Sequence, residues 1–430
     1  MSIKKINIIT FGCKLNQAES EFIGEKLEHI NFDVSYDKKD SNSGYVLINS
    51  CTVTSEAERK IKQLIRGIKR KNKNKKVIVV GCYSHTNVEA LKNAGADLIL
   101  GNLEKKYIDK YIDKTGIFVD KIYWNKLEEK VFIPSKPYSS YSRYFLPIEE
   151  GCLEFCSYCR IIFARGNKIR SVDKEDIFKK VNEIYKEGIK EIVFTGINLS
   201  YFGYSTDYNL KKLIYDLNEK YNNEEIRFRI SSLYPDFIDE EIIRILNESP
   251  IFEKHIHLSL QHVSDNILRN MGRKYTEKYL YNLFDMIYSI NSSFSVSADL
   301  IVGFPGESEK DFQKLISFLN IYNFSRVHAF RYSNRPNTKA SRMKNQIPGN
   351  IKKERMKELQ KHINISTNRY LNELKGKNTK VLIEKVNKNE SFGYDEYYIY
   401  HKIEKNLINN AFYNVKVNNI ENTGVISYVL

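Results

Sequence analysis

Three of the chain's six cysteines stand within eight residues, as Cys152-Leu-Glu-Phe-Cys156-Ser-Tyr-Cys159, a C-x3-C-x2-C run. Three thiolates so spaced can bind three irons of a four-iron cluster and leave the fourth iron an open position. Iron–sulfur clusters are ordinarily closed by four cysteine ligands, so the missing ligand carries the information. An iron left open takes the amino and carboxylate groups of S-adenosylmethionine and passes an electron into its sulfonium. The competing readings are weaker. Structural zinc wants four nitrogen or sulfur donors, and no Cys or His follows within twenty residues of Cys159. A disulfide needs an oxidising compartment. Buried unliganded thiols account poorly for three cysteines in eight residues beside Gly151 and Tyr158.

The remaining cysteines need an element to bring them together. Residues 6–10, 45–49, 77–80 and 98–100 read as short buried parallel strands, with helical stretches at 18–29, 56–71 and 87–94. That βα repetition predicts an open parallel sheet. Cys13, Cys51 and Cys82 each come directly after a strand, and such sheets bind ligands outside the carboxyl ends of their strands. The topology therefore carries all three to one edge, where they suit a second cluster; the alternative is three unrelated cysteines. His85 is expected on the surface of the following turn rather than as a ligand.

The chain has 430 residues, which suggests two to four domains, and a net charge of +15. The excess favours an anionic partner, most simply nucleic acid. It clusters: between Arg59 and Lys76 there are ten Lys or Arg and no acid. Ile61, Leu64, Ile65 and Ile68 form the packing stripe of that helix, leaving Arg59, Lys62, Arg66, Lys69 and Arg70 on its solvated side. Soluble faces normally mix signs, so phosphate contact is the favoured reading. No apolar run approaches the roughly 18 residues of a membrane span and Met1-Ser-Ile-Lys-Lys opens no signal peptide, so a soluble cytoplasmic protein is expected.

A Pro- and Ser-rich connector at 134–142 marks a boundary. Beyond it, strands at 144–148, 191–195, 227–231, 255–260, 295–302 and 326–331 alternate with helical stretches, a partial (β/α)6 barrel with its chemistry at the C-terminal strand ends. The unusual residues fall there: the cysteine run, then Thr195-Gly196-Ile197-Asn198, Ser231-Ser232, Gln261-His262, Gly303-Phe304-Pro305-Gly306-Glu307 and Tyr332-Ser333-Asn334-Arg335-Pro336. Strand-like runs at 380–386, 397–403, 412–418 and 424–429 predict a small closing β-barrel. In it Tyr394, Tyr397, Tyr398, Tyr400 and His401 mix with Lys402 and Lys405, which allows base stacking beside phosphate contact.

Taken together, the chain resembles the methylthiotransferases of the radical S-adenosylmethionine superfamily along essentially its full length. The resemblance rests on Thr10-Phe-Gly-Cys13-Lys-Leu-Asn16-Gln17-Ala-Glu19-Ser20, Asn49-Ser-Cys51-Thr-Val-Thr54, Gly81-Cys82-Tyr83 and the cysteine run. Ala164-Arg165-Gly166, Gly303-Phe-Pro-Gly-Glu307 and Arg335-Pro-Asn-Thr338 extend it. It implies a methylthiotransferase N-terminal domain at 1–133, a radical core at 143–374 and a TRAM-like RNA-binding domain at 375–430. It implies two [4Fe–4S] clusters: one on Cys152, Cys156 and Cys159 that cleaves S-adenosylmethionine to a 5′-deoxyadenosyl radical, and one on Cys13, Cys51 and Cys82 that carries or donates sulfur. Tyr158, Gly196, Asn198, Ser231, Gln261 and Gly303 would line the S-adenosylmethionine pocket. A second S-adenosylmethionine would supply the methyl group.

Implied partners are tRNA, at anticodon-loop position 37, and an electron donor such as flavodoxin or ferredoxin. Within the family the substrate is N6-threonylcarbamoyladenosine (t6A), N6-isopentenyladenosine (i6A) or a ribosomal-protein aspartate. The Cys51-Thr-Val-Thr54 string, the basic helix and Tyr158 through Gly166 are most similar to the t6A branch, which makes the 2-methylthio product ms2t6A. Departures from the family pattern are Ile162 in place of Pro, Arg160 in place of an apolar residue, Glu149-Glu150 for Gln-Asp, Pro147 for Lys, and Asn337 for Gly. Gln261-His262-Val263 also lacks the usual Ser-Gly.

Overall fold

A computed structural model of the chain describes residues 3–38, 43–120, 131–135, 142–421 and 423–430. Much of the 134–142 connector lies outside the described residues. The N-terminal elements are β1 (Lys4–Thr10), α1 (Lys14–Glu28), β2 (Phe32–Tyr36), β3 (Tyr45–Ser50), α2 (Ser55–Lys71), β4 (Lys76–Gly81), α3 (Cys82–Thr86), β5 (Leu98–Leu100) and β6 (Gly116–Phe118). They form one parallel sheet in the order β2-β1-β3-β4-β5-β6. β3 and β4 are apolar throughout their middles because helices cover both faces. The edge strands β2 and β6 went unmarked in the sequence: one alternates polar and apolar residues, and the other is three residues long. The helix expected at 87–94 is a five-residue one, Val88–Lys92, set off from α3 by Asn87, whose Oδ1 accepts from Ala90 N (3.2 Å).

The second unit runs β7 (Arg143–Pro147), β8 (Glu149–Glu150), β9 (Arg170–Ser171), β10 (Glu191–Thr195), β11 (Arg227–Ile230), β12 (Ser232–Leu233), β13 (His255–Gln261), β14 (Ser295–Val302) and β15 (Arg326–Arg331). β8 and β9 pair as a small antiparallel ribbon. The others form the parallel sheets β7-β10-β11 and β12-β13-β14-β15, continuous in sequence through Ser231, as the expected partial barrel requires. Successive strand residues point to opposite faces, and the alternation sorts this barrel cleanly. Tyr144, Leu146, Ile192, Phe194, Phe228, Ile256, Leu258, Val296, Ala298 and Leu300 face outward into the main core under the helices. Their neighbours Arg143, Arg229, His255, His257, Ser297, Asp299, Arg326 and His328 face inward. A packed barrel fills its interior with branched apolar side chains; this one keeps a polar interior open.

The helix Gly349–Leu374 leads to the last five strands, β16 (Asn378–Val386), β17 (Ser391–Tyr394), β18 (Tyr400–Ile403), β19 (Phe412–Glu421) and β20 (Gly424–Val429). They close as a barrel, β16-β17-β18-β20-β19, with β17 added to the runs legible in the sequence. Arg143 clasps Glu384 (Nε–Oε1 2.9 Å) and Arg227 donates to Tyr394 O (2.9 Å), fixing this barrel against the second unit. The first unit docks from the other side: Ala18 of α1 packs on the inward-facing Phe145 and Val193. Among the described residues no helix is long and apolar enough to cross a membrane.

Candidate functional site

The sheet topology brings the first three cysteines together. Cys13 caps the N-terminus of α1, Cys51 follows β3, and Cys82 opens α3 straight after β4. Gly12, at φ +112°, lets the first loop press against the second: a Cβ there would stand 3.0 Å from Cys51 Cβ and 3.2 Å from its Sγ. Behind them lies Arg165, fully buried, whose Nε donates to Cys82 Sγ (3.2 Å). Its remaining nitrogens hold Glu19, Asn16 Oδ1 (2.8 Å) and Glu150 Oε1 (2.8 Å), and Lys105 completes the network on Glu19 (2.7 Å).

The second trio sits on the loop after β7. Gly151, at φ +106°, starts it where any Cβ would fall 2.1 Å from Lys168 O. Cys152 Sγ accepts from Glu154 N (3.4 Å), Cys159 Sγ from Ile161 N (3.4 Å), and Cys156 Sγ lies 3.6 Å from the Tyr234 hydroxyl. Cys51 repeats the pattern, with Val53 N at 3.5 Å. N–H groups placed two residues beyond a cysteine and aimed at its sulfur suit metal-bound thiolates, whose potentials such hydrogen bonds tune. Burial pushes the Cys51, Cys152 and Cys159 thiols up to about 12, so a thiolate at these positions requires a neighbouring positive charge. Both donor sets fit iron–sulfur clusters.

A cavity of about 710 Å³ runs from Cys13 and Cys51 into the barrel interior. Its wall includes Gly196, Ser231, Arg229, His257, Asp299, Arg326 and His328 of the barrel, Lys14 of α1 and Tyr398 of the C-terminal barrel. Tyr398 holds φ +60°, a strained value for so bulky a residue, and its ring lies 3.8 Å from the Arg229 guanidinium. The potential in this space is positive. Burial and then the Arg229 charge bring Lys14 down to about 8. Burial would raise Tyr398, but Arg229, Lys14 and Arg143 bring it down to about 7. His257 and His328 stand 3.2 and 3.3 Å from the Asp299 oxygens. Burial opposes ionisation of Asp299, and hydrogen bonds from the two imidazoles overcome it, holding it below the usual carboxylate range.

A second buried knot joins the units beside the cysteines. Glu58 Oε1 of α2 accepts from Thr52 Oγ1 (2.6 Å), from Arg160 Nη1 (3.2 Å) and from Arg335. Arg160 also donates to Thr86 O (2.9 Å). Arg160 follows Cys159 and Thr52 follows Cys51, so the knot fixes one cysteine loop relative to the other.

Against known families, residues 146–319 match the radical SAM superfamily and residues 5–101 match a family described only as "Uncharacterized protein family UPF0004". The fold is similar to that of the radical S-adenosylmethionine methyltransferase TsrM from Kitasatospora setae (TM-score 0.56, 12% identity, 79% of this chain and 77% of that one). A threonylcarbamoyladenosine tRNA methylthiotransferase of Thermotoga maritima is 38% identical over 99% of this chain and 97% of its own length. The chain belongs to the radical S-adenosylmethionine methylthiotransferase family. As such it is an enzyme that uses S-adenosylmethionine and a [4Fe–4S] cluster. An Aquifex aeolicus protein of the same name is 35% identical, covering 89% of this chain and 94% of its own. A tRNA-2-methylthio-N(6)-dimethylallyladenosine synthase of Clostridium tetani is 31% identical, covering 89% and 86%.

Of the residues singled out in the sequence of this methylthiotransferase, Cys13, Cys51, Gly196 and Ser231 share the cavity wall. Cys82, Cys152, Cys156, Cys159, Tyr158, Asn198, Gln261 and Gly303 do not line it. Tyr158 is held by Arg273 (2.8 Å), and the Asn198 and Ile197 amides donate to buried Glu149 Oε2 (2.8 and 2.9 Å). Gly303 N donates to Glu307 Oε2 (2.8 Å), and Gln261 takes φ +61° where the β13–β14 register shifts. His85 is buried, not on the surface: its Nε2 accepts from Asn102 N (2.7 Å). His401 is likewise unavailable for stacking on a base, being buried between Asp395 and Ser427 (2.9 Å each). Asn337 sits at φ +68°, a left-handed position that asparagine tolerates, which accounts for its replacing a glycine. The inward-facing Arg229, His257, Asp299 and His328 were missed. Their signal was there: polar residues at alternate positions of strands whose other face is wholly apolar.

Proposed function

We propose that the enzyme converts t6A37 of tRNA to ms2t6A37. The observation that carries this reading is the 38% identity over nearly the whole chain to a protein named for that nucleoside, against 31% for one named for the dimethylallyl nucleoside. In this reading Cys152, Cys156 and Cys159 hold the cluster that binds S-adenosylmethionine, and Cys13, Cys51 and Cys82 hold a second. Bound there, these groups supply one-electron cleavage of S-adenosylmethionine and sulfur for insertion at C2, chemistry that no acid–base residue provides.

The chain's own residues hold and enclose. Arg165 keeps a positive charge on Cys82 while bridging to Glu150 at the start of the other cysteine loop, so both trios are set by one rigid side chain. Tyr158, Gly196, Asn198, Ser231, Gln261 and Gly303 frame the S-adenosylmethionine pocket. The adenosine enters the cavity between Cys51 and the barrel strands. The domains divide at 1–133, 143–374 and 375–430, with the last gripping tRNA. The protein works in the cytoplasm with a small electron carrier such as flavodoxin or ferredoxin.

Nucleoside mass spectrometry of tRNA from a deletion strain tests the assignment. Loss of ms2t6A with t6A accumulating, and unchanged ribosomal-protein masses, is the expected result. Retained ms2t6A, or loss of the isopentenyl counterpart instead, overturns it.

A further inference from the structure

The cavity carries a buried guanidinium whose hydrogen bonds the protein itself leaves unmade. Arg229 is only 1% exposed, yet none of its three guanidinium nitrogens makes a hydrogen bond; Glu191 and Glu253 stand 3.8 and 3.5 Å from Nε. Lys14 projects into the same space, and among the described residues it makes no ion pair or hydrogen bond. Arg326, on β15, has no ion pair either among the described residues and lies 5.5 Å from the centroid of the Tyr398 ring. Three cations thus gather at one tyrosine in a partly open cavity. The Arg229 donors left without a hydrogen bond cost free energy, so an apolar substituent pressed into this wall would be penalised, and a carboxylate would be drawn in where it displaces the Tyr398 oxygen from these cations. The wall also holds Asp299, but its two oxygens are already committed to His257 and His328.

We propose that Lys14, Arg229 and Arg326 form a subsite for the carboxylate carried on N6 of the target adenosine, with Lys14 setting the preference for an anionic over an apolar substituent. The proposal rests on the t6A reading above, because the threonylcarbamoyl group ends in a carboxylate and the dimethylallyl group is a hydrocarbon. Its placement is chemically apt. Lys14 directly follows Cys13, so an adenine anchored there by its N6 substituent keeps its ring beside the first cysteine trio. A site built to pair a buried charge also rejects analogues lacking that charge more strongly than a hydrophobic pocket rejects a misfit.

The test uses anticodon-loop RNA hairpins carrying t6A, its methyl ester, N6-dimethylallyladenosine or plain adenosine. Equilibrium binding to the reconstituted full-length enzyme is measured by fluorescence anisotropy, for wild type, Lys14→Met and Arg326→Gln. Wild type should bind the t6A hairpin at least about tenfold tighter than the ester, the scale of a charge-assisted contact. Each variant should narrow that gap to less than about threefold. Equal wild-type affinity for acid and ester overturns the subsite. So does equal weakening of every hairpin, plain adenosine included, which would assign the cations to backbone phosphates. Methylthiolation of the dimethylallyl hairpin but not the t6A hairpin defeats the substrate reading instead. Turnover of t6A without discrimination against its ester defeats the subsite alone.

Discussion

Removing the Arg165 guanidinium would strand Glu19 and Glu150 in a dry interior and take the hydrogen bond from Cys82 Sγ. Breaking a buried ion pair by deleting one partner costs about 3–5 kcal/mol. Arg165→Met is therefore expected to lower the urea midpoint sharply, while Arg165→Lys, which keeps the charge, should recover part of the loss. An Arg165→Met midpoint within error of wild type would show that the network is not structural. Tyr398 offers a pH-dependent counterpart. Its folded value, about 7, lies below that of a free phenol because Arg229, Lys14 and Arg143 outweigh its burial. An acid whose folded pKa is depressed adds stability above its unfolded pKa and loses it as pH falls toward the folded one. Wild type should thus gain on Tyr398→Phe between pH 7 and about 10, by at most about 1.4 kcal/mol per pH unit. A phenolate absorbance titration should find one of the chain's 30 tyrosines ionising near neutrality, and the signal should vanish in Tyr398→Phe.

At the scale of elements, α2 shows how a charge run divides its labour. Thr54 caps it, its hydroxyl accepting from Ala57 N (3.1 Å), and Ile61 and Ile65 pack it on the sheet. Some of its cations pair with the protein's own acids: Arg59 with Glu56 on the surface (2.6 Å), Lys60 with the same Glu56 (3.9 Å) and Lys69 with Asp97 (2.6 Å). Arg66 and Arg70 stay exposed. Arg66→Glu with Arg70→Glu should weaken binding of tRNA across sequences and flatten its salt dependence by about 1.5–2 units of slope. An unchanged slope would mean that α2 faces no phosphate. Such faces, strands and cysteine positions were legible because they follow periodicity and strand ends. The edge strands β2 and β6 were not, since an edge needs little apolar surface, nor was β17, only four residues long. The cavity's polar lining was written in the alternation His255-x-His257, Ser297-x-Asp299 and Arg326-x-His328. Only pairing across strands, which one strand's sequence does not state, shows that these residues meet.

At the scale of the whole molecule, three units converge on one space. Ala18 of α1 plugs the barrel from one side, Tyr398 enters from the C-terminal barrel, and Glu58 with Arg160 and Arg335 locks the two cysteine loops in register. Nothing in the composition announces this convergence; it follows from parallel strands that deliver their C-terminal ends to a common edge. The arrangement gives the two trios a purpose only if both hold metal. Iron and acid-labile sulfide content after anaerobic reconstitution measures that directly. Wild type should hold about eight irons per chain, and about four should remain when either Cys13, Cys51 and Cys82 or Cys152, Cys156 and Cys159 are replaced by alanine. About four irons in wild type, undiminished by replacing the first trio, would contradict the account.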